Sequence, residues 1–207
     1  ENFADEEIPI PRIIKIGQID DVYHFAISVK AEGKHITELT EEEYNKTLPS
    51  LLNIMDKIHS ISVGSYSGFG KWNLDGIAHH NTWKEFLVSV KDYQENGNFF
   101  ENTFLEKDVW RKLYSKMEEL MEFCPEERFL VHGDYGNNNA VSEGGKVNGV
   151  FDSAESLYGD FLYDIAWLTF WLKKPERIKQ IEDYYRAKNI PNFEKRLLCY
   201  KLRIGLS

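Results

Sequence analysis

The sequence predicts an α+β fold: a strand pair, then a run of helices, then a β-hairpin, then more helices. Three observations carry this. Pro11 to Ile16 and Val22 to Val29 are β-rich, with Gln18-Ile19-Asp20-Asp21 as a turn between them. Apolar residues then recur at helical spacing behind recognisable caps. Further on, Ala140-Val141-Ser142 runs into Glu143-Gly144-Gly145-Lys146, a turn signal, and Val147 to Phe151 returns as β-type sequence.

The elements follow in order. Thr40-Glu41-Glu42-Glu43 opens a helix, because Thr40 caps it and a Glu stands three positions later. Leu48, Leu51, Leu52, Met55, Ile58 and His59 continue it on one face. Gly64 to Gly70 reads as a loop between helices, and His79-His80 as loop residues. Thr82 caps a second helix through about Tyr93, with Trp83, Phe86, Leu87 and Val90 on one face. Leu105 to Phe123 is a third, stopped by Pro125. Phe129-Leu130-Val131 is a buried strand. Phe161 to Leu172 is a buried helix rich in aromatic residues, and Pro175 and Pro191 open the last two.

Composition bounds the function. With 42% hydrophobic residues the 207-residue chain can bury a sizeable core. A net charge of -9 argues against a nucleic-acid partner and suits a small cationic substrate. No apolar run reaches membrane-spanning length and no signal peptide is visible, so no membrane partner is expected. Cys124 and Cys199 stand in no metal-binding spacing and read as reduced thiols. Oligomeric state is not legible.

The chemistry concentrates in His132-Gly133-Asp134-Tyr135-Gly136-Asn137-Asn138-Asn139 and in Asp152, which ends the hairpin. An Asp, an Asn five positions later and an Asp after a short strand form a set suited to phosphoryl transfer. Asp134 would be the catalytic residue, orienting and deprotonating an attacking hydroxyl. Asn139 and Asp152, at the entrance and exit of the hairpin, would hold Mg²⁺ against nucleotide phosphates. His132 would orient the loop, Asp164 would hold it from inside the fold, and Asp160 would cap the aromatic helix. Glu155, three residues after Asp152, faces either a positively charged acceptor or solvent.

These motifs resemble the aminoglycoside phosphotransferase family, in which His-Gly-Asp is followed by an Asn five residues after the Asp. The run from Asp152 through Gly159-Asp160 to Asp164 is similar to that family's next motif. Ser67-Gly68-Phe69-Gly70, Thr82-Trp83-Lys84-Glu85-Phe86, Leu130-Val131-His132 and Leu202-Arg203-Ile204-Gly205-Leu206 resemble the hygromycin B phosphotransferase branch. The family commonly has Trp after the metal-binding Asp, where this chain has Ser153.

The resemblance implies a protein-kinase-like fold, mostly its helical C-terminal lobe with the catalytic hairpin and the last strands of a truncated N-terminal lobe. Residues 1–29 would be the remnant of that β lobe and residues 30–207 the helical catalytic lobe. The hinge would lie at about 28–33, with Ser28 and Ala31 seating the adenine of ATP or GTP. The implied activity is ATP- and Mg²⁺-dependent transfer of the γ-phosphate to a hydroxyl of an aminoglycoside or related aminocyclitol. Alternatives are a kinase of choline, homoserine or a sugar, or an inactive kinase-like fragment or binding module. A phosphate-covering loop and a strand Lys are expected upstream of Glu1, so the chain reads as part of a longer protein, inactive alone.

Overall fold

A computed structural model of the chain describes residues 8–64, 66–92, 99–103, 105–136 and 138–207. Asn137 of the loop motif, and the expected helix end at Tyr93, lie outside the described residues. Two compact units emerge, one built from Glu1–Ile58 and Tyr135–Ser153, the other from His59–Asp134 and Ala154–Ser207.

The first unit opens with an antiparallel ribbon of β1 (Ile13–Gln18) and β2 (His24–Ser28). Its turn is set by Asp20, whose carboxylate accepts the backbone N–H groups of Val22 and Tyr23 at 2.9 Å each. Ile14 and Ile16 are 59% and 66% exposed, and Ile13 and Ile27 are also exposed, so the ribbon presents apolar side chains to solvent on both faces. A short β3 (Lys34–His35) then pairs with the hairpin of β7 (Ala140–Glu143) and β8 (Lys146–Val150) in the order β3-β7-β8. Helix α1 (Glu41–Ser60) begins as the cap signal requires. Thr40 Oγ1 accepts the Glu43 N–H at 3.2 Å, and Glu43 accepts the Thr40 N–H at 2.8 Å. The α1 segment anchors the hairpin through the Thr47–Ser142 hydroxyl pair at 2.8 Å and Ser50 Oγ, which accepts the Val147 N–H at 3.0 Å.

The second unit is built on a four-stranded sheet, β4 (Phe69–Trp72), β5 (Ala78–His80), β6 (Phe129–Val131) and β9 (Leu157–Gly159), in the order β5-β4-β9-β6. The loop read from Gly64 to Gly70 thus runs into a strand, and His79-His80 lie in another. Tyr158 makes the centre of the sheet, paired with Gly70 on one side and Leu130 on the other. Helix α2 (Trp83–Val88) packs on β4 and β5, while α6 (Phe193–Gly205) packs against both α3 (Lys107–Leu120) and α4 (Leu162–Trp171) and α5 (Pro175–Arg186) against α4, with a single helical turn at Phe99–Asn102. Thr82 Oγ1 accepts the Glu85 N–H at 3.1 Å and caps α2.

The second unit's core has a polar centre. Asp160 is fully buried and accepts Arg196 Nη2 at 2.6 Å, Arg196 Nε at 2.9 Å and the Tyr200 hydroxyl. It also accepts the Leu162 N–H at 3.1 Å at the start of α4. The capping contact exists, but the bidentate guanidinium is the larger interaction and ties α6 to the base of α4. Tyr200 in turn accepts the indole N–H of Trp83 at 3.1 Å. Burial, and then the neighbouring Asp160 carboxylate, push the Tyr200 phenol well above its ordinary value.

Candidate active site

Strand β6 delivers the chain to His132, and the backbone of His132 and Gly133 is held by one carboxylate. Asp164, on α4 and fully buried, accepts the Gly133 N–H on Oδ1 at 2.8 Å and the His132 N–H on Oδ2 at 2.9 Å. Its Oδ2 also lies 2.8 Å from His59 Nε2. Burial works against this carboxylate, yet the hydrogen bond and charge of His59, with His132 beside it, outweigh that penalty and hold its pKa below the ordinary value. The loop is tightened further by His132 Nδ1, which accepts the Asp134 N–H at 3.3 Å, and by the His132 carbonyl, which accepts the Ser156 hydroxyl at 3.3 Å. Gly133 has φ +80, and a β-carbon there would sit 2.1 Å from the Glu155 carbonyl oxygen, so no other residue fits without moving the backbone.

Asp134 emerges from this frame half-buried. Its Oδ1 accepts the indole N–H of Trp167 at 2.7 Å, a partner that the sequence reading did not single out. Glu155 lies exposed in the same unit and pairs with Lys71 at 2.7 Å, each side chain about half exposed.

The hairpin's open end belongs to the first unit. There the Phe151 N–H donates to the Asn139 carbonyl at 2.9 Å and the Asn139 N–H to the Gly136 carbonyl at 2.7 Å. The first bond extends the β7–β8 ladder one step past the Ala140–Val150 pair. It brings the backbone of Asn139 beside the residue that precedes Asp152. Asp152 has φ +53, a left-handed conformation that costs an L-residue about 1–2 kcal/mol. A strained backbone at an exposed polar residue is characteristic of ligand-holding positions. The side-chain oxygens that Asp152 and Asn139 carry, a carboxylate and an amide, are hard donors of the kind that Mg²⁺ takes, an ion that completes its shell with phosphate and water.

Ser28 and Ala31 also lie in the first unit. Ser28 ends β2 opposite Ile13. Ala31 packs against β8 at Gly149, where a β-carbon would meet that of Ala31 at 2.6 Å. The next residue is fastened to β8 through the Glu32 carbonyl, which accepts Asn148 Nδ2 at 3.4 Å. The structure therefore groups Ser28, Ala31, Asn139 and Asp152 in one unit, and His132, Asp134, Glu155, Asp160 and Asp164 in the other.

The phosphotransferase enzyme family APH matches residues 1–198, and the chain belongs to that family. The sequence is 31% identical over 210 residues to hygromycin-B 4-O-kinase of Escherichia coli, a match that covers 99% of this chain and 60% of that kinase. The chain thus spans less than two thirds of that relative's length. A thermostable mutant of the aminoglycoside phosphotransferase APH(4)-Ia, solved as a ternary complex with ADP and hygromycin B, is similar with a TM-score of 0.84 at 30% identity. That match covers 99% of this chain and 70% of that one. Aminoglycoside-3'-phosphotransferase of type VIII shares the fold at 16% identity, with a TM-score of 0.67 over 97% of this chain and 74% of its own. The mixed helix-and-sheet fold is that of the kinase-like aminoglycoside phosphotransferases.

Proposed function

We propose that the full-length protein is an ATP- and Mg²⁺-dependent O-phosphotransferase acting on an aminoglycoside or related aminocyclitol. The observation that carries this is the pinned loop at His132–Asp134, which presents a carboxylate held by a backbone frame and by an indole N–H. Family membership and the relatives' named ligands support the substrate class.

In this reading Asp134 accepts the proton of the acceptor hydroxyl as the oxygen attacks the γ-phosphorus. The bond from phosphorus to the β–γ bridging oxygen breaks, and ADP carries away that electron pair. Asn139 and Asp152 would hold Mg²⁺, which when bound neutralises the charge that builds on the phosphate oxygens. Asp164 and His132 keep the loop in place, so that Asp134 spends no reorganisation energy in the reaction. Glu155 would meet an ammonium group of the acceptor, a contact for which Lys71 now stands in. The segment at 28–33 would be the hinge, with Ser28 and Ala31 lining the adenine. The protein would work in the cytoplasm. Among the described residues, no helix is long and apolar enough to cross a membrane.

The test is an ADP-production assay on the full-length protein with Mg²⁺ and ATP or GTP, over a panel of aminoglycosides, choline, homoserine and sugars. Turnover with an aminoglycoside, and none with the metabolites, is expected. Turnover with a metabolite alone would overturn the substrate class.

A further inference from the structure

We propose that Trp167 is a positioning residue for the catalytic carboxylate, and that α4 sets the whole loop through two successive side chains. This rests on the reading of Asp134 as the base. The indole N–H of Trp167 meets Asp134 Oδ1 at 2.7 Å, the short end of the N–H···O range. Asp164, three residues earlier on the same helix, holds the backbone N–H groups of His132 and Gly133. Residues three apart lie on one face of a helix. One turn of α4 therefore fixes both the backbone of the loop and the rotation of the side chain at its end.

The helix is suited to that task because it is itself immobilised. Leu162, Tyr163, Asp164, Ile165, Ala166, Leu168 and Thr169 are all buried, and Asp160 at its base is clamped by Arg196. Trp167 is half-buried and braced edge-on by Trp171, with ring centroids 6.0 Å apart. A large rigid ring with a single donor has few alternative ways to satisfy that donor once packed. The indole N–H holds one carboxylate oxygen of Asp134 and favours the rotation at which the base meets the acceptor hydroxyl, so it contributes to turnover and not to substrate affinity.

Two measurements on the full-length protein test this. In ¹H–¹⁵N NMR, the indole signal that Trp167→Phe removes identifies the Trp167 N–H. Asp134→Asn should move that signal and speed its exchange with water. A signal indifferent to Asp134→Asn would overturn the contact, whatever the protein's activity. In the second measurement Trp167 is replaced by 3-benzothienylalanine, which keeps the ring shape and lacks the N–H. We expect kcat to fall about tenfold or more, the scale for a hydrogen bond to a charged group. KM for ATP and acceptor should be unchanged, and the thermal midpoint should fall by no more than the several degrees that one hydrogen bond to a charged group is worth. An unchanged kcat would overturn the positioning role, and so would a loss that appears in KM. If the wild-type protein transfers no phosphate while the indole signal still responds to Asp134→Asn, the role falls with the reading it rests on and the contact stands.

Discussion

Replacing Asp164 by Asn tests how the loop at His132–Asp134 is held. The carboxylate accepts one N–H on Oδ1 and lies within hydrogen-bond distance of an N–H and His59 Nε2 on Oδ2. Asn supplies one acceptor oxygen. If that oxygen takes the Oδ2 place, the amide NH₂ faces the Gly133 N–H, and a buried donor goes unsatisfied at a cost of about 1–3 kcal/mol. The two surviving hydrogen bonds lose their charge assistance, about 1 kcal/mol each. The expected destabilisation is thus roughly 3–5 kcal/mol. That corresponds to a fall in melting temperature of about 6–20 °C for a chain of this size. The pH dependence has a definite sign. The folded pKa of Asp164 is held below its unfolded value. The wild-type advantage is therefore fully present above about pH 3.9 and is lost as pH falls through the lower folded value. Urea denaturation of both proteins between pH 2.5 and 7 measures this. A gap under about 1 kcal/mol at pH 7, or one that widens on acidification, would refute the reasoning.

Three further outcomes are expected. Asp152→Ala should weaken Mg²⁺-dependent nucleotide binding more than metal-free binding, as titration of Mg²⁺ would reveal, because it removes the proposed charged oxygen ligand. Asp152→Gly should lose the same metal dependence yet melt no lower than wild type, since glycine relieves the left-handed backbone at φ +53. Arg196→Met should cost roughly 3–5 kcal/mol in urea denaturation, because it strands the buried Asp160 carboxylate without its cation. A loss under 1 kcal/mol there would remove the pair from the stability argument.

The elements set by local chemistry were legible in the sequence. Thr40 and Thr82 announced their helices through side chains that reach three residues ahead. The Gly144-Gly145 turn, with φ of +62 and +88, announced the hairpin that carries Asn139 and Asp152. Of the four-stranded sheet only β6 was legible. Its strands are three or four residues long, β4 contains Gly70 at φ +83, and the central pairing joins residue 70 to residue 158. Nothing in the window around either residue records such a partner. Asp160 illustrates the same limit. Its place before a helix suggested a cap, whereas its strongest partner, Arg196, lies 36 residues away. Trp167 was hidden for another reason. It belongs to a helix apolar on nearly every side, so its one polar atom leaves no periodic signature.

The central claim is that Asp134 is the base of a phosphotransfer reaction. Transfer of labelled γ-phosphate from ATP to hygromycin B, measured on full-length wild-type protein and on Asp134→Asn with nucleotide affinity measured in parallel, tests it most directly. The expected result is a fall in turnover of about a hundredfold or more, with nucleotide binding nearly intact. Near-normal turnover in Asp134→Asn would contradict the assignment.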